Sequence, residues 1–299
     1  MNLRSAVRLL RPTQWVKNLF LVAPLIFSRH LFDGRYAWRV MLALVIFSVV
    51  SSVVYIVNDI ADRDADRLHP VKRLRPIAAG ELPAWQALLV AVVLLAVAGS
   101  FWTWLDARFW STVILYLGLN IAYSVWLKRV ILVDVFIIAA GFMLRVLAGV
   151  FAIDVSISPW LVLCTLFVSV FLAVSKRRAE LLLNDGATSA GSRPVLREYD
   201  REVVDQMMTV AASGMAISYA LYTVADRTVK IFGTENLIFT TVFVLFGIFR
   251  YLFLIRQKKT DDNPMHVLIS DVPLMLNILA WFAACVAIIY AEEIHHWLR

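Results

Sequence analysis

At 299 residues, with 61% hydrophobic and 17% charged residues and a mean hydropathy of +0.75, the chain is too apolar for a water-soluble domain, where about a quarter of residues carry charge. A net charge of +7 would suggest nucleic acid in a soluble protein, but in so apolar a chain the basic residues orient it in a bilayer, and no nucleic-acid partner is expected. The two cysteines, Cys164 and Cys285, both lie inside apolar runs, so neither a disulfide framework nor a thiolate metal site is indicated.

The N-terminal stretch MNLRSAVRLLRPTQWVKN has no continuous apolar core and no small-residue cleavage site, so it does not read as a cleavable signal. Leu3, Val7 and Leu10 recur at near-helical spacing between Arg4, Arg8 and Arg11. That spacing predicts a short helix lying on an anionic leaflet. Next, Gln14, Lys17 and Asn18 stand at the mouth of the first apolar run, within reach of a phosphate; Trp15 and Lys17 also suit a plain interfacial anchor.

A membrane-crossing helix needs about 20 mostly apolar residues. The sequence offers nine such runs, at 18–33, 37–57, 84–104, 109–127, 131–152, 158–175, 206–225, 236–255 and 271–291. Polar gaps between them are too short for a soluble domain. The expectation is one all-α, polytopic membrane domain over 1–299. Of the 29 Lys and Arg residues, 21 fall on the N-terminal side of the bilayer and seven on the other, with Arg145 inside a run. The positive-inside rule assigns the first side to the cytoplasm of an inner (cytoplasmic) membrane, and nine crossings put the C-terminus outside.

Following the second run, the chain reads YIVNDIADRDADRLHPVKRLRPIAAGELP. Asp59, Asp62 and Asp66 stand at i, i+3 and i+7, within about 60° of one another on an unbroken helix. With the amide oxygen of Asn58 they suit a hard divalent cation that binds substrate phosphates. Carboxylates this close repel one another unless a cation or protons intervene. Lys72, Arg73 and Arg75 follow directly and would clamp phosphate oxygens. A solvated acidic turn beside ordinary positive-inside charge is the plainer alternative.

In the fifth run, Asp134 and Arg145 are eleven residues apart, hence about 20° apart around a helix. Both should face the protein interior, because ionisable groups are costly in lipid. The connection after the sixth run opens SKRRAELLL. Lys176 and Arg177 emerge from the membrane with Glu180 one turn beyond Lys176; topology alone would account for the basic residues but not for Glu180. His69, His295 and His296 have no metal-ligand spacing.

Asn58, Asp59, Asp62 and Asp66 form NDxxDxxxD, which resembles the first acidic motif of the UbiA prenyltransferase superfamily. The second motif of that superfamily is usually another Asp-rich run after the sixth span; here Lys176–Arg177–Arg178–Ala179–Glu180 stands in its place. With RPTQWVKN, AYSVWLK, GFMLRVLAG, LREYDREVVDQMM, YALYT, FGIFRYLFLI and DVPLMLNILAW, the chain is similar, over almost its whole length, to the polyprenyl-phosphate (decaprenyl-phosphate) phosphoribosyltransferase branch. One departure is Arg178, where that branch is expected to carry a Tyr.

The resemblance implies a nine-helix transmembrane bundle of the UbiA type. It implies a Mg2+-dependent transfer of 5-phosphoribose from phosphoribosyl diphosphate to a polyprenyl phosphate, feeding a lipid-linked pentose for cell-envelope polysaccharide. On that reading Asp59 and Asp62 hold the metal, supported by Asn58 and Asp66. Lys72, Arg73 and Arg75 take donor phosphates, and Lys176, Arg177 and Glu180 position the donor. Lys17, Lys128 and Arg145 are candidates for the acceptor phosphate, and Asn18, Tyr123 and Asp134 complete the substrate-binding set. The lipid bilayer is the implied surroundings, and an oligomer is compatible with the reading. The rival within the superfamily is a prenyltransferase acting on an aromatic or other small acceptor, against which the missing second acidic run argues. A secondary transporter would carry its charges near the bilayer midplane rather than at one face.

Overall fold

The computed structural model describes residues 3–68, 71–184, 198–257, 267 and 270–293. His69, His295 and His296 lie outside these, as do Arg193, Arg197, Lys258 and Lys259 among the charges expected on the cytoplasmic side and the first residues of LREYDREVVDQMM. Every regular element among the described residues is helical. Seven helices are long and apolar enough to cross a membrane: Gly34–Ala61, Ala84–Trp104, Val133–Ile153, Pro159–Leu182, Arg201–Val224, Asn236–Arg256 and Val272–Ile289. They coincide with seven of the nine expected runs. The chain is an all-helical, polytopic membrane protein. Its described residues fall into two compact units, one up to Ser156 and one from Ile157 onward.

In the first unit, α1 (Leu3–Leu10) is the expected short amphipathic helix. Its docking face carries Leu9, which is fully buried against Val53, Ile56, Ile77 and Leu82, whereas Val7 stays 48% exposed on the side available to a leaflet. The expected first span at 18–33 is not a membrane-length α-helix. The chain instead forms a 3-10 helix over Pro12–Val22 and then a short helix, α2 (Ala23–Phe27). Pro12 and Pro24 each stand at the start of their segment, where the missing backbone donor costs no hydrogen bond. A 3-10 helix rises about 2 Å per residue against about 1.5 Å for an α-helix, so these eleven and five residues reach about 30 Å, the thickness of a hydrocarbon core.

Helix α3 (Gly34–Ala61) is capped by Asp33, whose carboxylate accepts from the Arg35 N–H at 2.9 Å. Its 28 residues span about 42 Å, so its last turns carry Asn58 and Asp59 beyond the hydrocarbon. The helix ends at Ala61. Asp62 is its cap, and α4 (Arg63–Leu68) starts afresh, so the acidic motif does not ride on one unbroken helix as its spacing implied.

Helices α5 (Ala84–Gly99), α6 (Ala107–Val125) and α7 (Val133–Ile153) complete this unit. Helix α6 stands where the fourth span was expected and carries Ser111, Thr112 and Asn120 within it. Each of these returns its side-chain hydrogen bond to its own helix, at 2.8 Å. The core joins Leu21, Ile46, Phe47, Val50, Phe109, Val113, Leu144 and Ala148.

The second unit holds α8 (Pro159–Asn184), α9 (Arg201–Val224), α10 (Asp226–Phe232), α11 (Thr241–Gln257) and α12 (Val272–Ile289). Asp200 caps α9 and Asp271 caps α12, so both are helix-start residues. Asn277 donates to the Phe243 carbonyl at 2.9 Å, and Tyr219 joins Thr240 at 2.6 Å and Trp281 at 2.9 Å. These contacts satisfy polar groups inside otherwise apolar spans.

Candidate active site

The two halves of the acidic motif turn to different partners. Asp59, only 2% exposed, is bound on one oxygen by both Arg11 and Arg75. The same Arg75 nitrogen that lies 3.1 Å from Asp59 Oδ1 lies 2.6 Å from Asp66 Oδ2. Asp62 faces the 3-10 turn Leu127–Arg129 that follows α6, where Lys128 binds it, and the Asn58 amide of α3 donates to it at 3.1 Å. Ser124 in turn donates to the Asn58 oxygen at 3.2 Å, so two rungs join the ends of α3 and α6. Burial pushes the Asp66 carboxyl above the usual carboxylate range, against the opposing pull of Arg75.

Among the described residues, no three carboxylate, imidazole or thiol groups converge as a metal cluster. Guanidinium and ammonium groups stand between the carboxylates instead. The donors still suit a hard cation, because a single positively charged nitrogen of Arg75 already bridges Asp59 and Asp66.

Of the three basic residues after the motif, Arg75 reaches it, and the charge of Lys72 is felt at Asp66. Arg73 is exposed. The loop is held in place by α1: Ser5 donates to Glu81 at 2.7 Å, and Arg8 reaches both Glu81, at 3.2 Å, and the Leu74 carbonyl.

Deeper in the same unit, Asp134 and Arg145 are both buried, as an apolar run carrying ionisable groups requires. Arg145 donates to Asn18 Oδ1 at 2.8 Å, the Gly141 carbonyl at 2.7 Å and the Tyr116 hydroxyl at 2.8 Å, and lies over the Tyr116 ring. Asn18 is fixed in turn by Ser48 and Ser51. Lys17 is part-buried and senses the charges of Arg145 and Arg11. Tyr123 is buried in α6. Arg145 is thus a buried cation whose hydrogen-bond partners are neutral, with Lys17 near it, and such surroundings favour an anion.

In the second unit, Arg177 is fully buried and its partner is Glu180, at 2.5 Å, while Lys176 is part-exposed. Arg178 ties three helices together, meeting Asp205 of α9 at 2.5 Å and the Ile255 carbonyl at the end of α11 at 3.0 Å. Arg250 of α11 and Asp271 at the start of α12 make a further tie between two helices, at 2.8 Å. Sequence reasoning missed Arg11, Tyr116, Ser124 and Asp205. The position of Arg11 directly before Pro12 was the one local signal available.

The model of the UbiA prenyltransferase family matches residues 19–270. A decaprenyl-phosphate phosphoribosyltransferase of Mycolicibacterium smegmatis is 33% identical over 294 residues, covering 95% of this chain and 92% of that protein. One from Corynebacterium glutamicum is 35% identical, covering 95% and 86%. Among solved structures, a UbiA homologue from Archaeoglobus fulgidus bound to DMAPP and Mg2+ superposes with a TM-score of 0.72 at 19% identity, over 95% of this chain and 98% of that one.

Proposed function

The chain belongs to the UbiA prenyltransferase family, and from that premise we propose that it transfers 5-phosphoribose from phosphoribosyl diphosphate to a polyprenyl phosphate. The supporting observation is the basic run that follows the sixth expected span. The Lys176–Glu180 stretch supplies three cations and one carboxylate at the end of α8, where a prenyl-diphosphate enzyme would carry a second acidic run. Two acidic runs suit a lipid that itself bears the diphosphate. One acidic and one basic run suit a soluble sugar diphosphate with a further phosphate. Its likeness to relatives named for this activity, at 33 and 35% identity over nearly the whole chain, points the same way.

Both units would serve this one reaction as a single catalytic domain, with the polar loops on the cytoplasmic side of an inner membrane. In the transfer, the bond between the anomeric carbon and the diphosphate breaks, and a lipid phosphate oxygen forms the new bond to that carbon. Diphosphate leaves, and the lipid-linked pentose is available for envelope polysaccharide. The acceptor is already an anion near neutral pH, so no general base is needed. Asp59 and Asp62, with Asn58 and Asp66 in support, would hold Mg2+, which when bound neutralises charge on the leaving diphosphate. Lys72, Arg73 and Arg75 take donor phosphates, and Lys176 and Glu180 orient the donor, with the buried Arg177 holding Glu180 in place. Lys17, Lys128 and Arg145 receive the acceptor phosphate, with Asn18, Tyr116 and Tyr123 shaping its surroundings and Asp134 buried behind.

The test is a transfer assay with radiolabelled phosphoribosyl diphosphate and defined polyprenyl phosphates, followed by mass spectrometry of the lipid product. A lipid carrying phosphoribose is expected. Prenyl transfer to an aromatic acceptor, without sugar transfer, would overturn the proposal.

A further inference from the structure

By sequence, Arg11 is only one of many cations that orient the chain. In the structure its backbone stands at φ 52 and ψ 58, the left-handed region, directly before Pro12. Such a conformation is unfavourable for a residue with a side chain and persists only where the surroundings impose it, often at functional sites. Here it turns the chain between α1 and the 3-10 helix so that the guanidinium lies over the Tyr55 ring, 5.3 Å from its centre, and meets Asp59.

Arg11 shares that oxygen with Arg75, whose single charge is divided between Asp59 and Asp66, so the metal-free site balances two carboxylates with two guanidinium groups. A divalent cation entering the acidic motif would leave Arg11 facing like charge, with Lys17 and Arg145 near enough for their charges to act on the same surroundings. An arriving phosphate would offer it a new partner of opposite charge.

We propose that Arg11 is a substrate-binding residue that exchanges partners, holding Asp59 in the metal-free site and taking a substrate phosphate oxygen once metal and substrate bind. This rests on the reading above that the acidic motif takes a divalent cation. The phosphate belongs either to the sugar donor or to the lipid acceptor, and the two arms of the kinetic test tell them apart.

The consequence is a pair of effects of opposite sign. In the full-length protein without substrate, Mn2+ affinity is read from the free-ion EPR signal. Arg11→Gln should bind Mn2+ about tenfold more tightly, because a competing cation has gone, while the KM of one phosphate substrate rises about tenfold. A rise for phosphoribosyl diphosphate assigns Arg11 to the donor, and a rise for polyprenyl phosphate assigns it to the acceptor. Arg11→Lys, which keeps Asp59 paired, should leave Mn2+ binding near the wild-type value and still raise that KM; it carries the test if the Gln variant does not fold. A folded Arg11→Gln protein with unchanged or weaker Mn2+ affinity overturns the exchange, as does an unchanged KM for both substrates in Arg11→Lys. Wild-type protein that binds Mn2+ no better than an Asp59→Asn, Asp62→Asn variant overturns the metal reading itself, and the exchange with it.

Discussion

The carbonyl oxygen of Leu21 occupies the space above Gly149 in which a side chain would begin, so the 3-10 segment and α7 meet backbone to backbone. The ring of Pro24 closes the same gap, 3.2 Å from where a Cβ would stand. Arg145 lies one turn earlier on α7 and Asn18 one turn earlier on the 3-10 segment, so this close approach sets their 2.8 Å hydrogen bond. Gly149→Ala must push the two segments apart. We expect a loss of about 1–3 kcal/mol from overpacking, seen as a lower Tm in detergent, together with a raised KM for the lipid acceptor. A variant with wild-type Tm and kinetics would show that the approach is loose.

The metal assignment is tested at the acidic motif. Asp59→Asn and Asp62→Asn should each abolish activity in a protein that still folds, and EDTA should do the same reversibly. Asp62→Asn keeps its size and its neighbour Asn58, so a folding defect is not expected there. Full turnover in EDTA, or near wild-type rates in either variant, would remove the metal from the reaction.

Much of this site was readable from the sequence because its signals are local. Carboxylates at fixed spacing, or an arginine inside an apolar run, announce themselves, and Asp134 and Arg145 are buried as that logic requires. Geometry that depends on distant segments was not readable. Hydropathy locates the first crossing but cannot distinguish a 3-10 helix from an α-helix, and the break at Asp62 removes the shared helical face that its spacing implied. Arg11 meets a residue 48 positions away and Arg178 a carbonyl 77 positions away, which no local pattern encodes. Glu180 had basic residues available at both i−3 and i−4, and the structure pairs it with Arg177.

The raised carboxyl of Asp66 makes a prediction about stability and pH. At neutral pH the folded protein keeps a carboxylate charged where burial disfavours it, so the neutral isostere in Asp66→Asn relieves that cost. As pH falls through the raised value, the wild-type carboxyl takes up its proton and the two proteins converge. Asp66→Asn should therefore show the higher Tm near pH 7.5, with the difference shrinking as pH falls and activity reduced throughout. A lower Tm for the variant at pH 7.5 would mean that the attraction of Arg75 outweighs burial.

The placement of the loops follows from the distribution of Lys and Arg. In a background lacking Cys164 and Cys285, a cysteine at Leu68, which is well exposed beside the acidic motif, should be protected from an impermeant thiol reagent in intact cells. One at Glu235, exposed between α10 and α11, should be labelled from outside. The opposite labelling pattern would invert the protein in the membrane.

The basic run at the end of α8 offers the sharpest separation between rival readings. Lys176 is part-exposed, whereas Arg177 beside it is fully buried and engaged with Glu180, so Lys176 is the side chain able to meet a soluble donor. If it takes a donor phosphate, Lys176→Ala removes one charge-assisted contact, roughly 1.5–3 kcal/mol, and raises the KM for phosphoribosyl diphosphate by about one to two decades. The KM for the lipid should hardly move. Glu180→Gln keeps the shape of the side chain but weakens its hold on Arg177. If Glu180 orients the ribose it should lower kcat more than it raises KM, because misplacing the reacting carbon weakens the transition state more than the ground state. A folded Lys176→Ala protein with wild-type kinetics would reduce this run to a topological anchor. A change confined to the lipid KM would move it to the acceptor side and leave the donor to Asp59, Asp62 and the cations around them.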